Sequence, residues 1–448
     1  MWLSSAGRRG QGPVTNHPGT TAASSPQQSG VRVNKRVVVT GYGAVCSLGE
    51  NAPQIWQSIM DYRVGYKRVE FSGSSINARF FGFMEKDRKR YDGLSKTVLK
   101  MAPEFARNAL VAAREALTGA FGAQGIPSSL SPFDFGVMIG TGWGGNDASN
   151  ATCLDYRDSG MASSFATLLS MPSVATGIVS LNWKLRGYQN TPVAACATGT
   201  MAIGDAYEII RSGRQLAMLA GGSESLKDEC NVWSIDVIQA LSKEQENIDA
   251  ACCPFDRRRS GFVLSEGAAV LCLEEMEHAL ARGAHILGEI TGYANYSDAY
   301  DMTAPADDML ARVTAVEKAM AQAGKRPQDL DYVNVHGTST PQNDVNETRA
   351  LKASLGPLAH AIPMSSTKSY TGHLIGAAGA MESMICLKAI ETGTVPATIH
   401  LREADPECDL DYTPNHHAQG RRIDTALNLS FGFGGANCAL VLEKFRGA

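Results

Sequence analysis

The chain has 448 residues, 44% of them hydrophobic and 19% charged, which is enough apolar material for a large core and enough length for two domain-sized units. A formal net charge of -4 with no long basic block leaves no footprint of bulk nucleic-acid binding. No run approaches the roughly 20 apolar residues that a bilayer span needs. The expectation is a globular, cytoplasmic protein with neither nucleic acid nor membrane among its partners.

Residues 1–33 are rich in Ser, Thr, Gly, Pro and Gln and contain no acid, so they are expected to be a disordered extension. Arg8 and Arg9 in that stretch allow an organellar transit peptide. Proline and glycine spoil an amphipathic helix there, and a dispensable extension or a misassigned start is favoured.

The first predicted strand is Arg36 to Ala44 (RVVVTGYGA), a β-branched run ending in glycines. As a dinucleotide-binding turn it fails, because Cys46 stands at the third glycine position. Glu289 to Ala294 (EITGYA) echoes this strand. Asp134 to Thr141 (DFGVMIGT) is echoed in register by Asp331 to Thr338 (DYVNVHGT). Thr191 to Cys196 (TPVAAC) and Pro363 to Lys368 (PMSSTK) each precede a helical stretch. Gln215 to Gly222 and Leu427 to Gly435 each close on a Gly-Gly turn. Echoes in one order predict an α/β fold of two duplicated halves, 34–284 and 285–448.

None of the ten cysteines forms a Cys-x-x-Cys pair, and neighbours Cys252 and Cys253 cannot readily chelate one ion together, so no metal site is expected. Cys196 is different. It lies in Ala194-Ala195-Cys196-Ala197-Thr198-Gly199, between an apolar stretch and a predicted helix from Thr200 to Ser212. A helix N-terminus favours the thiolate and offers backbone N–H groups to an oxyanion. His336 follows a predicted strand in NVHGTSTP. His373 lies in KSYTGHLIGAAG, where four small residues let a helix approach another backbone closely. His17, His278, His285, His360, His400, His416 and His417 lack such frames; the first lies in the extension and the others in polar contexts typical of surfaces.

The frames AACATGT around Cys196, HGTSTPQND from His336, STKSYTGHLIGAAGAME around His373 and SFGFGGAN from Ser430 together resemble the elongating β-ketoacyl-acyl-carrier-protein synthases of the thiolase superfamily, over about Asn34 to Leu442. The resemblance implies a layered αβαβα core and a ping-pong decarboxylative Claisen condensation needing no cofactor. Cys196 would accept the acyl group, and His336 and His373 would act in decarboxylation of malonyl-carrier. Lys368 resembles the supporting lysine, Glu382 the glutamate of the same frame, and Phe433 the gating phenylalanine. Thr338, Thr340 and Phe431 match substrate-contacting positions. The backbone N–H groups of Cys196 and Phe433 are the implied oxyanion hole. Trp143 stands where isoleucine usually lines the acyl pocket, so short primers are expected.

The resemblance also implies an acyl carrier protein as partner, docked on Lys86, Lys89 and Arg90, and a homodimer, with a heterodimer including a chain-length subunit as the alternative. A thiolase would carry a second active-site cysteine, and Cys438 follows the closing frame too late. A noncatalytic chain-length subunit would lack Cys196, and an initiating synthase would not carry His373. A specialised polyketide, polyene or nodulation-factor ketosynthase stays open. Cys46-Ser47 replaces the usual Thr-Pro, Ser265-Glu266-Gly267-Ala268-Ala269 replaces Gly-Glu-Gly-Ala-Gly, and Asp301 replaces a common histidine.

Overall fold

The computed structural model describes residues 34–71 and 73–447; the expectations for residues 1–33 lie outside them. The first strand, β1 (Val37–Cys46), begins a set completed by β2 (Phe135–Gly140), β3 (Gln189–Asn190), β4 (Ala217–Glu224) and β5 (Gly267–Glu275). A second set follows: β6 (Gly288–Ser297), β7 (Tyr332–Asn334), β8 (Met364–Ser365), β9 (Thr425–Gly432) and β10 (Ala436–Glu443). The spatial orders are β1-β5-β4-β2-β3 and β6-β10-β9-β7-β8. In both, the first two pairings are antiparallel and the last two parallel. The two sets join where Val37 to Val39 pair with Gly288 to Ile290.

Helices build the other layers. Helix α1 (Glu104–Phe121) packs on β1, β5 and β4, while α3 (Leu310–Gln322) packs on β6 and β10. Helices α2 (Thr198–Arg211) and α5 (Ala378–Thr392) touch each other and strands of both sets, so they form the middle of an αβαβα stack. Buried on nearly every side, α5 is apolar around most of its circumference, and even Glu382 and Ser383 are enclosed. From Asn34 onward the chain is one compact body.

Several local readings change. Gly41 and Gly43 lie inside β1 rather than in a turn after it. A Cβ on Gly43 would stand 2.2 Å from Ala112 O of α1, so the glycines serve close helix packing. Pairing before Cys196 ends at Asn190, because Thr191 to Ala194 turn away toward the helix. His400 is buried, with Nδ1 3.3 Å from Tyr66 Oη and 3.2 Å from Cys252 O, and is not a surface residue. Arg90 is corrected as well. The turn Arg88–Tyr91 rotates it inward, where Nε and Nη2 meet Glu50 at 2.5 and 2.6 Å, so it does not belong to an exposed docking face. Lys86 and Lys89 do face solvent.

Candidate active site

Cys196 sits in the tight turn Ala195–Ala197 that opens α2, directly after Ala195, whose φ of 45° is a conformation side chains rarely adopt. This strained turn projects the thiol into a cavity of about 470 Å³ that also exposes His336, His373, Thr338, Thr340, Phe431 and Phe433. Gly432 brings the Phe433 backbone to the cysteine, since a Cβ there would lie 2.6 Å from Ala194 O and 3.3 Å from Cys196 N. The backbone N–H groups of Phe433 and Cys196 lie beside the thiol and favour its ionised form. Burial works against the thiolate, pushing the Cys196 thiol up to about 12 despite Lys368 and the two N–H groups.

His336 follows β7 in a loop clamped by α4 (Pro341–Leu355). Glu347 accepts the N–H groups of His336 and Gly337 at 2.6 and 2.7 Å, and Asp344 accepts that of Thr338 at 3.1 Å. His373 is pinned to the strand at Leu264: its N–H donates to Val263 O at 2.7 Å and its carbonyl accepts from Ser265 N–H at 2.9 Å. The two imidazoles meet edge to face with centroids 5.5 Å apart.

Their protonation follows from their neighbours. Burial, with Lys368 nearby, holds both histidines well below the ordinary imidazole range. The ammonium of Lys368 lies 3.4 Å from His336 Nδ1, 2.6 Å from His336 O and 2.5 Å from Glu382. Ile375 N–H donates to His373 Nδ1 at 3.2 Å. With each Nδ1 accepting, the proton of each neutral ring sits on Nε2. His373 Nε2 is buried without a protein partner, a donor waiting for an acceptor. The sulfur and ring nitrogens of Cys196, His336 and His373 lie within 4.8 Å of one another, close enough for a metal ion. Protonated Nε2 atoms offer such an ion no lone pair.

Thr338 and Thr340 share a hydrogen bond of 2.9 Å at the cavity wall. Trp143 packs against the apolar cluster that contains Cys196, while its loop is held to buried Glu224 through Gly142 N–H at 2.6 Å. The sequence reading did not single out Glu224, Asp344, Glu347 or Arg312. The first three hold loops; Arg312 faces the cavity. Asp344 and Glu347 lie three apart on one turn after the His336 frame, a signal that periodicity could have given.

A neutral thiol at a strained helix start, beside two backbone N–H groups and facing two Nε2 donors, defines a carbon–carbon condensing site of the thiolase type. The family profile "Beta-ketoacyl synthase, N-terminal domain" matches residues 34–279 and its C-terminal counterpart residues 287–402. The chain is 39% identical over 414 residues to the 3-oxoacyl-[acyl-carrier-protein] synthase 2 of Synechocystis sp., covering 92% of this chain and 99% of that relative. The Staphylococcus aureus enzyme of the same name is 38% identical with equal coverage. Among solved structures, a β-ketoacyl synthase from Burkholderia phymatum superposes with TM-score 0.85 at 32% identity, covering 92% of this chain and all of that one. A type II polyketide ketosynthase, bound to the hexaketide and complexed with its acyl-carrier protein, gives 0.84 at 34% identity with the same coverage. The chain therefore belongs to the β-ketoacyl synthase family, elongating condensing enzymes of the acyltransferase class.

Proposed function

We propose that this protein extends an acyl group by two carbons at the expense of malonyl-acyl-carrier protein, in fatty-acid biosynthesis. Acyl transfer from the carrier puts the chain on Cys196 Sγ, and the thiol proton passes to the departing carrier thiol. Malonyl-carrier then loses carbon dioxide. The electron pair of the broken carbon–carbon bond becomes an enolate whose oxygen accepts from His336 Nε2 and His373 Nε2. The enolate carbon attacks the acyl carbonyl, the oxyanion rests on the N–H groups of Cys196 and Phe433, and Cys196 leaves and takes up a proton.

The observation that carries this reading is the pair of Nε2 donors fixed opposite the thiol. The residues assign no step to a metal or redox group. Thr338 and Thr340 would meet the pantetheine arm, and Phe431 and Phe433 line the same cavity. Lys86 and Lys89 remain the proposed docking cations for an acidic carrier. The two halves, divided at 284/285, are proposed duplicates. Exposed Leu154, Tyr156, Met161, Phe165 and Leu168 support a homodimer. A cytoplasmic site of action is part of this reading, and no described helix is long and apolar enough to cross a membrane. A specialised polyketide-type pathway is the second reading, favoured by the 34% identity to the hexaketide-bound ketosynthase.

The test supplies malonyl-carrier and acyl-carriers of graded length to wild type and to Cys196→Gln. Wild type should release one carbon dioxide per two-carbon extension, while Cys196→Gln should still decarboxylate but not condense. Condensation by Cys196→Gln would remove the thiol from its role.

A further inference from the structure

Arg312 of α3 is 5% exposed, yet among the described residues its guanidinium makes no hydrogen bond and no ion pair. Its Nε and Nη1 are sealed from solvent without a partner, and the side chain lines the cavity that holds Cys196 and His336. The guanidinium carbon stands 4.2 Å above the Phe431 ring, and His336 packs against the same ring with centroids 5.6 Å apart.

The acids nearest to it act through space, with their oxygens held by other donors. Glu347 holds the N–H groups of His336 and Gly337. Asp298 accepts from Asn437 at 2.9 Å, and Asp344 accepts from Phe255 N–H and Thr338 N–H and lies 3.6 Å from Arg259. Burial lowers Arg312 only to about 10, so it is charged at neutral pH. Lys368 is paired with Glu382, whereas among the described residues no carboxylate makes direct contact with Arg312. A buried charge is costly unless an opposite charge meets it. Glu347, Asp298 and Asp344 act on Arg312 only from a distance, so a ligand carboxylate in the cavity would be its first direct partner.

We propose that Arg312 receives the carboxylate of the extender unit, holding the malonyl group beside His336 before carbon dioxide leaves. This inference rests on the condensing function proposed above. A guanidinium offers a carboxylate two parallel N–H donors. When the carbon–carbon bond breaks, its electron pair moves to the thioester enolate and the carboxyl group departs as neutral carbon dioxide. At an early transition state the carboxyl group still carries most of its charge, so Arg312 holds the ground state and the transition state about equally. Arg312 accordingly sets affinity for the extender and leaves the chemical step nearly alone.

The test is Arg312→Gln in the full-length chain, with malonyl-carrier and hexanoyl-carrier measured separately. KM for malonyl-carrier should rise about tenfold or more while kcat stays within about threefold, and Cys196 acylation by hexanoyl-carrier, which lacks a carboxylate, should change less than twofold. Should both substrates weaken alike, or KM for malonyl-carrier stay put, Arg312 is only a prop for Phe431 and the proposal is wrong. If Arg312→Gln does not fold, the decision falls to wild type with free malonate, which should compete with malonyl-carrier but not with hexanoyl-carrier. Malonamide should compete with neither; equal inhibition by malonate and malonamide overturns the proposal. A wild type that never decarboxylates malonyl-carrier would instead sink the proposed function.

Discussion

Lys368→Met would separate the two jobs that the buried ammonium performs. Methionine keeps much of the stem volume but removes the charge held at 2.5 Å from Glu382 and at 3.4 Å from His336 Nδ1. Stranding one partner of a buried pair costs about 3–5 kcal/mol. Glu382, already pushed up to about 7 by burial, can escape part of that cost by taking a proton. A raised carboxyl contributes its stability at low pH and loses it as pH rises, so the variant should be nearest to wild type around pH 6 and weaken progressively above pH 7. His336 would also lose the donor that keeps its proton on Nε2. Decarboxylation should fall by roughly 10²–10³, the usual consequence of losing one oxyanion donor. Replacing both partners, Lys368→Met with Glu382→Leu, should restore stability to within about 2 kcal/mol, because an apolar pair can stand in for a buried ion pair. Activity should not return. Urea unfolding at pH 6 and pH 8 reads the first effect, and carbon dioxide release from malonyl-carrier reads the second. If the double variant decarboxylates within tenfold of wild type, Lys368 serves only to neutralise Glu382 and the tautomer argument is wrong.

With the Cys196 thiol pushed up to about 12, its alkylation by iodoacetamide, followed on the Cys196 peptide, should climb about tenfold per pH unit from pH 7 to 10 without a plateau. Levelling near pH 8 would mean that the helix field outweighs burial. Lys86→Glu with Lys89→Glu should slow carrier association steeply at low salt and little at high salt; unchanged association with an intact fold would clear that patch of a docking role. Trp143→Ile should raise kcat/KM for long acyl-carriers over short ones by about 1 kcal/mol for each methylene newly accommodated. If wild type already accepts long chains as readily, the indole does not block the pocket.

The features legible in the sequence were those whose causes are local. A thiol in a small-residue frame before a helix, and histidines in glycine and threonine turns, announce themselves within ten residues. The matching strand orders of the two sets accord with the repeat expected from the sequence echoes. What escaped depends on partners far away in the chain. Arg90 looked like part of a basic surface, but Glu50, forty positions earlier, draws it inward. His400 sat in a polar context, yet Tyr66 and Cys252 close over it. Arg312 offered no signal, since only the fold reveals that no acid reaches its guanidinium. A helix start favours a thiolate, but burial depth is invisible in a sequence and works in the opposite direction at Cys196.

The proposed duplication would explain why one chain carries a single site. Matched by the turns Ala195–Ala197 and Ile375–Ala377, Cys196 corresponds to Gly376, and in the sequence echoes His336 corresponds to Ile139, so each chemical group has a hydrogen or a hydrocarbon at its counterpart. Both halves keep the strained turn before the central helix, with φ of 45° at Ala195 and 48° at Ile375. Only the first projects a side chain from it. A second thiol has no room, because a Cβ on Gly376 would lie 2.4 Å from Gly142 N. The second turn does different work: the Ile375 N–H points at His373 Nδ1 and fixes the tautomer that the condensation needs. The same backbone motif thus presents the nucleophile in one half and sets a proton in the other. Condensation requires that asymmetry, since the acyl group and the enolate must approach each other from opposite sides.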